Sequence, residues 1–205
     1  MTVTHVEVLV EEPSMETALR VLLPQLLGDL SFSVYPHQCK HDLLKRLPQR
    51  LYGYSKWLPS DYRIVVVVDR DDDDCHGLKQ RLEQMASDAG LLTRSVAQGQ
   101  KYSVVNRLAI EELEAWYFGD WAAVRAAYPR VSESAPRRAR YRDPDAIQGG
   151  TWEAFERLLQ RAGYFQNGLR KIEAAREVAK HWDADRNRSR SFQVFRDVFR
   201  EIANA

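Results

Sequence analysis

Hydrophobic positions along the chain switch repeatedly between a two-residue and a helical period. Val6, Val8 and Val10 alternate with other residues and predict a strand over 3–10. Leu19, Leu22, Leu23, Leu26 and Leu27 then recur at helical spacing, with Ser14 as the candidate N-cap and Pro24 expected to kink the helix or end its regular part. "FSVYP" (32–36) reads as a short strand, and residues 40–52 carry a helical pattern through Leu43, Leu44 and Leu47, interrupted at Pro48. Ile64 to Val68 is an unbroken branched run, the pattern of a strand buried on both faces and central in a parallel sheet. Leu78, Leu82, Met85, Ala86 and Ala89 line one helix face that stops at Gly90. "SVVNRLAI" (103–110) is a fourth strand, and "EELEAWYFGD" continues from it as a helix. This alternation predicts an open α/β sheet, mostly parallel and flanked by helices.

Beyond Pro129 the pattern changes. Residues 129–150 are rich in Arg, Ser, Pro and Asp and read as a basic loop or linker; 151–205 read as a helical C-terminal extension packed on the 1–128 core, with Phe192, Phe195, Phe199 and Ile202 as an apolar stripe. The 205 residues, 44% hydrophobic, suffice for a real core and exclude a disordered chain. Net charge is only +1, but it is unevenly spread: 15 basic against 19 acidic residues in 1–136, and 15 against 10 in 137–205. Such a division suits metal ions at the front and a phosphate backbone at the back. Cys39 and Cys75 cannot build a disulfide framework, and there is no apolar run of about 18 residues and no signal peptide, so a cytoplasmic protein without a membrane span is expected.

Candidate chemistry lies where acids follow strands. In open α/β sheets the C-terminal strand ends form the ligand crevice, and three of them carry carboxylates here: Glu11 and Glu12; Asp69 and Asp71; and Glu111, Glu112 and Glu114. Like charges ~4 Å apart repel by about 4 kcal/mol at an effective dielectric near 20, so such a rim needs a counter-charge. Oxygen-only donors suit Mg²⁺ or Mn²⁺, as one or two ions. Asp69 and Asp71, together with Glu11, are the acids expected to recruit such a ligand. Asp72, Asp73 and Asp74 read as solvated acids opening the next helix. The run fails the calcium-loop pattern, since Asp74 stands where Gly is needed and Gln80 where Glu is needed. A haloacid-dehalogenase-like phosphatase also uses D-x-D, but that motif normally opens its fold, and here two strand-helix units precede it.

Arg137, Arg138, Arg140 and Arg142 in the loop, with Arg186, Arg188 and Arg190 before the last helix, are candidate phosphate contacts. His37, Cys39, His41, Cys75 and His76 offer N and S ligands at spacings that match no common structural zinc motif. Trp116, Tyr117 and Trp121 fall at helical spacing and read as core or interface residues rather than base-stacking platforms.

"VEEPSME", "VVVVDRDD", "AIEELEAW" and "NRSRSFQVF", in this order and over most of the chain, resemble the TOPRIM superfamily. More narrowly they resemble a little-characterised family related to nucleases of the overcoming-lysogenization-defect (OLD) type. The resemblance implies a TOPRIM-like fold with Glu11 as metal ligand or general acid/base, Asp69 and Asp71 as metal ligands, Glu112 and Glu114 as the added acids, and Lys171 as the transition-state lysine. It also implies a nuclease acting on DNA or RNA, with an ATPase partner in phage defence as in the PARIS system, whose target is tRNA. A homodimer is one candidate assembly among those the sequence leaves open. The usual E-G-x-T-E is here Glu11, Glu12, Pro13, Ser14, Met15, which leaves Glu12 and Glu16 as possible second-site acids. That departure supports a second reading, a non-catalytic subunit whose acidic rim docks a partner ATPase.

Overall fold

A computed structural model describes residues 2–71, 73–110 and 112–205. Asp72 and Glu111, two of the acids singled out above, lie outside the described residues, as does Met1. Four strands form one all-parallel sheet: β1 (His5–Val10), β2 (Ser31–Pro36), β3 (Tyr62–Asp69) and β4 (Val104–Ala109), in the order β2-β1-β3-β4. The helices are α1 (Pro13–Leu27), α2 (Lys40–Trp57), α3 (Cys75–Asp88), α4 (Leu113–Gly119), α5 (Trp121–Ala127), α6 (Thr151–Arg161), α7 (Lys171–Ala179) and α8 (Arg190–Ala203). Between α5 and α6, three single 3-10 turns order the segment expected as loop.

The valine run is buried on both faces because each face meets a different helical layer. Val65 and Val67 join a core with α1, α4 and α6 to α8, whereas Ile64, Val66 and Val68 join one with α2 and α3. Each such side chain removed from water contributes about 1.5–3 kcal/mol. The C-terminal helices are part of the first core: Phe192 and Phe195 pack on Trp116, at ring-centroid distances of 5.3 and 4.8 Å, and the Trp116 indole N–H donates to Ser191 Oγ (2.9 Å). Ser189 caps α8 by accepting from the Phe192 N–H (3.1 Å).

Three local expectations differ. Pro24 and Pro48 neither end nor split their helices. Both prolines sit on the exposed side of their helices, so neither ring is wedged into the core. Helix α1 begins at Pro13, with Glu12 in the N-cap position, so Ser14 lies inside the first turn, where proline's missing N–H costs nothing.

Candidate active site

Because the strands are parallel, the ends of β1, β3 and β4 open onto the same rim. Asp69 is the last residue of β3 and is buried; its backbone N–H donates to Glu11 Oε2 (3.1 Å), which joins the ends of β3 and β1 across 58 residues of chain. Its own Oδ1 is buried with no hydrogen-bond partner. Glu114, in the first turn of α4, is 1% exposed and likewise leaves Oε2 buried and unpartnered. The nearby Tyr117 hydroxyl is a third buried polar group without a partner.

Electrostatics follow from this crowding. Burial, and then the charges of Glu11, Glu12, Glu114 and Asp71, push the Asp69 carboxyl well above the ordinary aspartate range. Burial and the Asp71 charge raise Glu11 to about 7, against the lowering effect of the Asp69 N–H and Lys40. Burial drives Glu114 to about 8, although Lys171 pulls it down.

Two lysines answer part of this negative charge. Lys40, the first residue of α2, donates to the Arg70 carbonyl (3.0 Å) and lies 2.6 Å from Asp71 Oδ2 and 2.9 Å from Asp73 Oδ2. Asp71 itself sits at φ +48°, a left-handed conformation that turns the chain sharply after the strand. Lys171, the first residue of α7, stands 3.8 Å from Glu12 Oε2. Burial works against its charge, but the carboxylates of Glu114, Glu12, Glu112 and Asp69 outweigh it and hold the ammonium above its ordinary range.

The remaining candidates separate by placement. Glu12 accepts from the Ser14 hydroxyl and faces Lys171. Glu16 pairs with Arg20 one turn further along α1 (2.8 Å). Glu112 Oε2 accepts from the Thr151 N–H (3.0 Å), the Thr151 hydroxyl (2.7 Å) and the Trp152 N–H (2.9 Å), so it caps α6 and ties that helix to the rim. Asp74 caps α3 by accepting from the Gly77 N–H (2.7 Å). His37 is buried against the sheet, with its Nδ1 meeting the Val10 carbonyl (2.9 Å). Trp116 and Tyr117 are fully buried and Trp121 nearly so. Among the arginines, Arg137, Arg142 and Arg188 share one cavity with Arg125 and Arg186, whereas Arg140 lies over the Tyr141 ring (4.6 Å) and Arg190 lines a different cavity beside Cys75 and Val194. Arg138 is exposed.

Lys40 and Tyr117 are not legible as rim residues in the sequence. Lys40 sits inside "HQCKH", where the His and Cys residues are the more conspicuous metal ligands, and the topology alone brings β2's end to the same side as β3's. Among the described residues, no three His, Cys, Asp or Glu side chains form a ready-made cage. The donor set nevertheless suits a hard divalent cation: all its atoms are carboxylate oxygens, and two of them, on Asp69 and Glu114, are buried without a partner.

No helix is long and apolar enough to cross a membrane among the described residues. The sequence matches no functionally curated protein. The fold is similar to the C-terminal region of the Burkholderia pseudomallei OLD protein, at 18% identity and a TM-score of 0.52, covering 99% of this chain and 100% of that one. The model of a domain of unknown function, DUF4276, matches residues 10–201, nearly the whole α/β core and its C-terminal helices, and the chain belongs to that family.

Proposed function

We propose that the chain is a divalent-metal-dependent nuclease of the TOPRIM kind, hydrolysing phosphodiester bonds of DNA or RNA. The observation that carries this reading is the buried, unpartnered Asp69 carboxylate at the end of the central strand, with Glu11, Glu12, Asp71 and Glu114 around it. A buried carboxylate left without donors costs stability unless a proton or a cation neutralises it, and a cation would displace the proton that burial favours. The shared fold with an OLD protein's C-terminal region and the TOPRIM-like order of acids both support the choice of nuclease over other metal chemistry.

Asp69 and Asp71 would hold Mg²⁺ or Mn²⁺, with Glu11 beside them and Glu114 nearest a second position. When bound, such an ion supplies a Lewis acid for the phosphoryl oxygens and a water of lowered pKa. The chain's own groups do the rest. Glu11 fixes the end of β3 through the Asp69 N–H. Lys171, kept charged by the surrounding carboxylates, offers an ammonium to a phosphoryl oxygen whose negative charge grows during the reaction. Tyr117 and the aromatic residues behind it form a dry floor beneath Glu114. By the same resemblance the protein acts in phage defence with an ATPase partner.

The test is cleavage of plasmid and tRNA with Mn²⁺ or Mg²⁺, comparing wild type with Asp69→Asn. Metal-dependent cleavage lost in the variant is expected; cleavage that persists in the variant, or in EDTA, would sink the reading. A second reading has one observation in its favour. Lys40 already pairs with both Asp71 and Asp73, as in a rim that docks a partner rather than a metal. That reading predicts no Mn²⁺ binding by calorimetry and no cleavage with the partner ATPase present.

A further inference from the structure

Two basic segments far apart in sequence meet at the C-terminal end of α4. There the chain passes from Gly119 into Asp120, and the segment 186–188 lies directly against it. Asn187 Nδ2 donates to the Trp116 carbonyl (2.9 Å) and the Arg188 N–H to the Gly119 carbonyl (3.0 Å). The approach is so close that a Cβ on Gly119 would stand 1.9 Å from Asn187 Oδ1. With Asn187 pinned inward, its neighbours Arg186 and Arg188 line a cavity of about 620 Å³. The opposite wall comes from α5 and the 3-10 turns, which bring Arg125, Arg137 and Arg142.

Five guanidiniums therefore face one cavity that holds only two carboxylates, Asp120 and Glu133. Asp120 holds Arg186 in a two-point pair at 2.6 and 2.9 Å and also accepts from the Ala123 and Asp183 N–H groups, and Arg186 has a further carboxylate in Asp183 at 3.6 Å. Glu133 is divided between Arg125 at 3.3 Å and Arg137 at 3.9 Å. The guanidiniums of Arg142 and Arg188 have no carboxylate partner among the described residues. Like charges gathered without counter-charge repel, and guanidinium forks match phosphate oxygens in number and plane. Helix α4 links the cavity to the rim: it carries Glu114 in its first turn and ends with Gly119 at the cavity wall, a helix of seven residues or about 10 Å.

We propose that this cavity is a phosphate-binding subsite, gripping a backbone phosphate of the nucleic acid strand a few nucleotides from the scissile bond. The subsite rests on the nuclease reading for the identity of its ligand. Arg142 and Arg188 contact the phosphate. Arg125, Arg137 and Arg186, anchored by Glu133 and Asp120, position the walls and set the potential. Arg138, Arg140 and Arg190 lie outside this cavity, so the subsite separates Arg137, Arg142, Arg186 and Arg188 from the other arginines that charge clustering alone groups with them.

The test is binding of a fluorescein-labelled 12-nucleotide single strand in EDTA, followed by anisotropy across a KCl series. The double variant Arg142→Ala/Arg188→Ala should bind on the order of tenfold more weakly near 0.1 M salt. Its log–log salt slope should be shallower by about 0.7, the contribution of the one single-strand phosphate that the two arginines neutralise together. Arg138→Ala/Arg140→Ala should stay within about twofold of wild type. Unchanged affinity and slope in the first variant would overturn the subsite, as would an equal loss in the second. AMP and inorganic phosphate serve as competitor probes: AMP binding that needs Arg142 and Arg188, with strand binding indifferent to them, would assign the cavity to a free nucleotide and overturn the substrate role. Circular dichroism and melting keep a folding defect apart from a binding one. Because EDTA prevents metal-dependent cleavage, a wild type that never cuts nucleic acid yet shows the Arg142/Arg188-dependent slope would remove the nuclease reading and leave the phosphate subsite standing.

Discussion

Two glutamates, one half-buried and one fully buried, receive opposite treatment in this fold. Glu83, on α3, accepts from the hydroxyls of Thr93 and Ser95, from Asn106 Nδ2 (2.9 Å), and from the Lys79 ammonium at 3.0 Å. Burial alone would raise it, but these four donors outweigh burial and hold it down at about 2. Glu114 is more deeply buried, leaves Oε2 without any donor, and is pushed up to about 8. The protein completes the first carboxylate with its own atoms and leaves the second unfinished. That contrast between a carboxylate completed by the fold and one left open supports the proposed ligand site at the rim.

The comparison breaks most decisively on Asp69. Asp69→Asn should lower metal-dependent cleavage by about 10³-fold or more, which is about 4 kcal/mol of barrier, while its melting temperature stays level or rises. Glu83→Gln should leave cleavage within about twofold. If Asp69→Asn unfolds the chain instead, the rim is structural and the distinction fails.

Next in size is stability. Glu83→Ala strands three neutral donors and the Lys79 charge in a partly buried network, and a loss of about 3 kcal/mol by denaturant unfolding is expected. The same pair sets opposite pH slopes. Glu83 has a depressed folded pKa, so its stabilisation is present above its ordinary value of 4.5 and is lost as pH falls from there toward about 2. Glu114 has a raised folded pKa. Between 4.5 and about 8 the unfolded chain has released this proton and the folded one has not, so stability falls as pH rises through that window. Glu83→Gln should flatten the acid limb only, and saturating Mn²⁺ the neutral limb only; a melting-temperature series over pH 2–9 reads both.

Smaller effects sharpen the border of the site. Lys171→Met should lower kcat on the order of tenfold to a hundredfold while calorimetric Mn²⁺ affinity changes little. Glu16→Ala removes an i,i+4 pair with Arg20 and should shift stability by no more than about 0.5 kcal/mol, with no change in cleavage.

Much of the frame is readable from hydrophobic period alone. The valine run announces a strand covered on both sides, and acids directly after three strands announce a rim, because parallel pairing brings those ends together. Side-chain assignments are less readable where tertiary partners decide them. Glu112 and Glu114 are two residues apart and look equivalent in sequence, yet Oε2 of Glu112 is taken by the start of α6 while that of Glu114 is unpartnered. Glu16 looks as close to the rim as Glu12, but one helical turn points it to Arg20. The prolines mislead for a related reason: Pro24 and Pro48 both sit on the exposed side of their helices, and the side a residue faces is a property of the packed molecule.

Lys40 carries a further consequence. Its single ammonium is the internal counter-ion of Asp71 and Asp73, so any ion entering there competes with a charge already in place. Exchanging it for Na⁺ or K⁺ swaps one positive charge for another and gains nothing in Coulomb energy. A dication brings a surplus charge to a rim that still lacks one. In the proposed metal site the lysine would thus act as a valence filter, favouring divalent ions over the abundant monovalent ions of ordinary salt solutions.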